Sequence, residues 1–140
     1  MPVEQIKLSQ TAKDQLLRLK RRTRIKNWNT LCRWALCRSL AEPTKPSPVK
    51  IPADSSVEMT WKVFGGTHHQ IYWALVRQRC KEDDFELTED ILAEQFRLHL
   101  HRGIAYLAGD KTIQKIEDLI KRGSTPIRDL EPEALAAGGK

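Results

Sequence analysis

Three cysteines and four histidines are the side chains here best suited to covalent, acid–base or metal chemistry. Cys32, Cys37 and Cys80 contain no CxxC pair, so neither a zinc nor an iron–sulfur ligand set assembles from them. An odd number without framework spacing reads as free thiols. Cys32 falls on an apolar helical face, where burial leaves a thiol inert, while Cys37 and Cys80 look less committed to packing. His99 and His101 stand two residues apart, and on a helix they point about 200° from one another rather than at one ion. His68 and His69 sit at a helix start, where capping or solvation is their ordinary role. The acidic run from Glu82 to Asp90 lacks calcium-loop spacing and reads as a solvated loop or a protein contact. Phe64-Gly65-Gly66-Thr67 before a helix could cradle a phosphate, but without a GxxxxGK(S/T) run a strand-to-helix turn is the simpler reading. No catalytic signature, metal site or cofactor site emerges, and the expectation is a protein that is not an enzyme.

What the sequence does concentrate is positive charge. The 140 residues carry a net +6. Met1–Lys50 holds twelve Lys/Arg against three Asp/Glu, while Ile51–Lys140 holds twelve against fifteen, so the basic character belongs to the first third. Such asymmetry points to a polyanion for that third. Its core is Lys13, Arg18, Lys20, Arg21, Arg22, Arg24 and Lys26, opposed within the run only by Asp14. Like charges this close repel by a few tenths of a kcal/mol per pair, roughly, which a phosphate backbone would relieve. These seven are the candidate DNA-binding residues. A solvated basic face is the plainer alternative; the asymmetry favours nucleic acid. Trp28 and Trp34 are of a type that stacks on bases, although packing in a core or interface is the commoner role.

The elements that must position these groups follow from periodicity. Val3–Leu8 alternates apolar and polar, which predicts a short strand. It needs a partner strand, for which a second chain is a candidate, because two strands or fewer bury too little. Ser9 is placed to cap a helix carrying Ala12, Leu16 and Leu19 on one arc. The break spans Arg24–Asn29, with Asn27 or Asn29 capping a second helix whose face of Trp28, Leu31, Cys32, Ala35, Leu36 and Ser39 is wide enough to meet both the first helix and another subunit. Residues 41–56 carry four prolines and read as an extended connector. Val57–Val63 alternates again, a second strand candidate ended by Gly65-Gly66. A helix is predicted from near Thr67 to Lys81, with Ile71, Ala74, Leu75 and Gln78 marking one face. Another, capped by Thr88, runs toward Leu107 and closes at Gly109. A last one is capped by Asp110, with Ile113, Ile116, Leu119 and Ile120 inward. The expected fold class is mainly α: a ribbon–helix–helix-like strand–helix–helix unit over 1–40, the connector over 41–56, a helical part over 57–123 with one more short strand, and a loose tail over 124–140, together one domain. In that arrangement Gln5 and Lys7 would face a groove, with backbone contacts dominating.

The segments IKLSQTAKDQLLRLKRRTRIKNWNTLCRWALCRSL (6–40), TWKVFGG (60–66) and LHRGIAYL (100–107) resemble the DndE family, the small subunit of the bacterial DNA phosphorothioation (sulfur modification) system. The resemblance is collinear over nearly the whole chain, outside the connector and tail, and rests on no catalytic motif. It implies a mainly helical protein that forms a homotetramer, binds double-stranded DNA with nicked duplex favoured, and acts with DndC and DndD. The expectation is therefore a DNA-binding component of that machinery, with a sequence-specific ribbon–helix–helix repressor and a nickase or sulfur carrier as the alternatives. No apolar run approaches the roughly 20 residues that cross a bilayer, and MPVEQIK has no secretory pattern, so the expected location is cytoplasmic.

Overall fold

The computed structural model describes residues 3–121. Strand β1 (Gln5–Lys7) leads into α1 (Gln10–Thr23), whose N-terminus is capped as expected: Ser9 Oγ accepts the Ala12 N–H at 3.1 Å. Ala12, Leu16, Leu19 and Thr23 are the buried arc of α1. The chain reverses at Arg24 (φ 62°), whose N–H donates to the Lys20 carbonyl at 2.8 Å. Helix α2 (Trp28–Leu40) then buries Leu31, Cys32, Ala35, Leu36 and Ser39, the face legible in the sequence.

The partner of β1 is β2 (Glu58–Thr60) of the same chain, antiparallel, with Gln5 opposite Thr60, Ile6 opposite Met59 and Lys7 opposite Glu58. The pairing extends through Leu8 N–H to Val57 O (3.0 Å) and Trp61 N–H to Glu4 O (3.1 Å). The ribbon is thus closed within one chain and not by a second one. The connector has length enough to bring Val57 back, so its own strand meets β1 at high local concentration. The second strand is also shorter than the alternation over Val57–Val63 implied. The strand ends at Thr60, whose hydroxyl accepts the Val63 N–H at 3.1 Å and so caps α3 (Trp61–Gly65).

A 3₁₀ turn (Gly66–His68), entered at Gly66 with φ 62°, joins α3 to α4 (His69–Glu82). The face marked by Ile71, Ala74, Leu75 and Gln78 turns outward: Ile71 is 56% exposed. The inward face is Tyr72, Trp73, Val76 and Cys80, because the larger aromatic area goes to the cluster of Trp61, Phe64 and Phe96.

Helix α5 (Glu89–Gly109) is the centre of the fold and packs against α1, α2 and α4. Thr88 Oγ1 caps it by accepting the Ile91 N–H at 3.2 Å. Buried side chains occupy several of its faces, from Leu92 and Phe96 to His99, Ile104 and Leu107, as a helix enclosed on many sides requires. Within the chain the apolar face of α2 is covered chiefly by α5 and only slightly by α1. Gly103 makes that crossing possible, since a Cβ there would collide with the Ala35 carbonyl. Beyond Gly109, Ile113 and Leu119 are buried, but Ile116 and Ile120 are exposed. Asp110 accepts from the Thr112 N–H and hydroxyl in a local turn, and the Asp118 carboxylate accepts the Gln114 and Lys115 N–H groups ahead of helical residues 116–121. The expected loose tail lies outside the described residues.

The proline connector is held down by three arginines. Arg79 donates to the carbonyls of Leu40, Pro43 and Thr44 while pairing with Asp83 at 2.9 Å. Arg102 donates to Ser39 O and Thr44 O, and Arg97 to Lys7 O, Ile51 O and Pro52 O. A segment without its own ladder has carbonyls left over, and guanidinium forks with five donors apiece satisfy them.

Candidate nucleic-acid interface

The seven basic residues take three different places. Lys13 reaches back to the connector, its Nζ donating to Ser56 Oγ at 2.9 Å. Arg22 donates to the Ala108 carbonyl at 3.0 Å and ties the end of α1 to the end of α5. Arg18 is exposed on the outer face of α1. The remaining four, Lys20, Arg21, Arg24 and Lys26, converge with Ile25 around a shallow depression of about 450 Å³ at the α1–α2 turn. Three features of local folding bring them there. The helical period places Lys20 and Arg24 one above the other; the left-handed Arg24 swings the chain round; and Ile25 packs against the core beneath.

Among the described residues, no ion pair joins a carboxylate to any of these four cations. Asp14, its nearest acidic neighbour in sequence, accepts instead from Gln10 at 3.0 Å. These four cations, without a carboxylate partner among the described residues, gather around one concavity and concentrate positive potential there. The ammonium of Lys20 also lies 3.7 Å from the centre of the Trp28 ring, which fixes its position by a cation–π contact and covers that face of the indole.

Most of the other chemically capable groups are held inside the fold. Ser39 Oγ and His99 Nδ1 are 2.8 Å apart, a serine–histidine pair that the sequence reading missed because sixty residues separate them. Both are buried, and the Arg102 Nε–H donates to the same hydroxyl at 2.8 Å. Burial, aided by Arg102 and Arg79 and opposed by Asp83, lowers His99 to about 4, so it stays neutral and closed to solvent. His101 Nε2 accepts the Ser9 N–H at 3.2 Å and its Nδ1 meets Arg97 O, so the two histidines do point to different partners. Burial pushes Cys32 up to about 12. Cys80 rises to about 11 through burial and then Asp83, and Cys37 is raised by burial too. That is the wrong direction for a reactive thiolate. Cys80 is 1% exposed, which overturns its reading as a thiol uncommitted to packing; it faces inward with Val76. Cys37 is exposed. Among the described residues no group of three or more His, Cys, Asp or Glu could hold a metal, and no helix is long and apolar enough to cross a membrane.

A second concavity, of about 360 Å³, is lined by Thr30, Arg33, Trp34, Cys37 and Tyr72. It lies on the outward face of α2. The signal available in the sequence was the spacing of Thr30, Trp34 and Cys37 at i, i+4 and i+7, a second helical stripe opposite the apolar one.

A family model described as DNA sulphur modification protein DndE matches residues 5–115. Among solved structures, DndE from Escherichia coli B7A, involved in DNA phosphorothioation modification, is similar at 25% identity and a TM-score of 0.63, covering 76% of this chain and 98% of that one. The structure of a DndE mutant involved in DNA phosphorothioation is similar at 25% identity and a TM-score of 0.57, covering 74% of this chain and 95% of that one. No curated protein matches this chain.

Proposed function

Because the chain belongs to the DndE family, whose place is in the DNA phosphorothioation machinery, we propose that it is the component of that machinery that grips duplex DNA by its backbone. The observation that carries the reading is the set of four cations, Lys20, Arg21, Arg24 and Lys26, around one depression with no carboxylate paired to them among the described residues. Phosphate contacts position a protein without specifying a sequence, which suits a subunit that holds DNA while other proteins modify it. Arg18 on the neighbouring face extends the cationic surface. Lys13 and Arg22 serve the fold first, through Ser56 and Ala108.

Homotetramer formation and contact with DndC and DndD belong to the same proposal, as does a preference for nicked duplex; several copies multiply a patch that alone grips weakly. The raised thiol pKa values and the closed Ser39–His99 pair argue for a partner's chemistry rather than a reaction here. The test is salt dependence. Four phosphate contacts per bound chain give a slope of log affinity on log salt of about −3.6, or about a 150-fold loss between 50 and 200 mM. A slope near zero would remove the mechanism. Equal binding of nicked and intact duplex would remove the nick preference alone.

A further inference from the structure

Two tryptophans of α2 have the chemistry to stack on a base, and the fold treats them differently. Trp28 has Lys20 over its ring. Trp34 is part of the open concavity with Thr30, Arg33, Cys37 and Tyr72. We infer that this second concavity is a binding site for a single unpaired nucleobase of DNA, with Trp34 and Tyr72 as stacking surfaces and Arg33 as the polar contact.

The supporting geometry is built, not incidental. Tyr72 is set edge-on against Phe64, with ring centres 5.7 Å apart and planes at 68°, so its ring is held from behind by the core. Arg33 is anchored by donation to the Phe64 carbonyl at 2.8 Å, with a long contact to Thr30 Oγ1. Two of its five N–H groups are thereby used, which leaves donors for a base edge or a flanking phosphate. No carboxylate lines the concavity. Its first residue, Thr30, follows Lys26 by four positions in sequence, in the first turn of α2. Aromatic surface beside a cationic track is the arrangement by which proteins bind unpaired strands, because every base has a stacking face. The inference rests on the DNA-backbone reading above for the approach of the strand.

The test compares a fully paired duplex with the same duplex bearing a short single-stranded extension that contains 2-aminopurine. The extension is expected to raise affinity about fivefold or more and its fluorescence to be quenched on binding. Trp34→Ala should abolish both effects while affinity for the paired duplex and its salt slope stay unchanged; Trp34→Phe should retain part of each. Maleimide added to the native chain near neutral pH, where lysine amines stay protonated, should slowly label the exposed Cys37 and spare buried Cys32 and Cys80, and the adduct should block quenching without any substitution. Quenching that survives both Trp34→Ala and the Cys37 adduct overturns the inference, as does a wild-type chain that ignores the extension. A Trp34→Ala chain that changes assembly mass yet still quenches the probe would assign the surface to subunit contact instead. Loss of paired-duplex binding with quenching retained would sink the backbone reading and leave the base site standing.

Discussion

Arg24 separates stability from binding in a single substitution. It occupies φ 62°, ψ 15°, the left-handed region, at the C-cap of α1. There a side chain with a Cβ costs about 1–2 kcal/mol that glycine does not pay. Glycine recovers part of this, offset by its greater freedom in the unfolded chain, so Arg24→Gly should stabilise by roughly 0.5–1 kcal/mol and raise the melting temperature by about 2–4 °C. The bond from the residue-24 N–H to the Lys20 carbonyl, 2.8 Å long, is kept. The same substitution deletes one of the four cations around the depression. Each phosphate contact contributes about 0.9 to the salt slope, so the slope should drop from about −3.6 to about −2.7, with an affinity loss of about eightfold at 0.1 M salt. The assay is a thermal melt beside duplex titrations at four salt concentrations. Arg24→Asn, neutral and tolerant of the left-handed region, should follow the glycine variant in slope. A residue kept in a costly conformation invites a functional explanation. If Arg24→Gly binds duplex with an unchanged slope, or if it melts lower than the parent, that explanation is wrong.

Two further outcomes follow from the core. Gly103→Ala should cost about 1–3 kcal/mol or more, because the added methyl meets the Ala35 backbone carbonyl at the α2–α5 crossing and no flexible side chain can yield; denaturant unfolding measures it, and a loss under 0.5 kcal/mol would show the crossing to be loose. His99 is held at about 4, below its unfolded value near 6.5. The unfolded chain takes the proton first, so stability should fall by up to about 3 kcal/mol as pH drops from about 6.5 to 4 and then level off. His101, also lowered by burial, adds in the same direction. His99→Gln should flatten much of that fall in unfolding midpoints, and an unchanged pH profile would place the acid sensitivity elsewhere.

The legible parts were those decided by neighbours in sequence. Ser9 and Thr88 cap their helices because a hydroxyl next to a helix start finds the same orphan N–H in almost any fold. The buried arcs of α1 and α2 followed from helical spacing. On α4 the same method chose Ile71 and Leu75, which are exposed, over Tyr72, Trp73 and Val76. Both stripes have helical spacing, and only the aromatic cluster of α3 and α5 breaks the tie. The strands at Gln5–Lys7 and Glu58–Thr60 were both visible as candidates, but their pairing was not, since pairing is a long-range choice.

For the candidate site the division is similar. By itself the sequence determined that positive charge is crowded into residues 13–26 and that no metal or thiol pair is spaced for chemistry. Charge and spacing are local properties that survive any folding. Tertiary structure alone decided which of the seven cations are spent. Lys13 is held by Ser56 and Arg22 by Ala108, partners 43 and 86 residues away, while Lys20, Arg21, Arg24 and Lys26 are left around one depression. It also decided that Arg79, Arg97 and Arg102, separate charges in the sequence, serve the connector. A guanidinium goes where carbonyls lack donors, and where those carbonyls lie is known only once the chain has closed on itself.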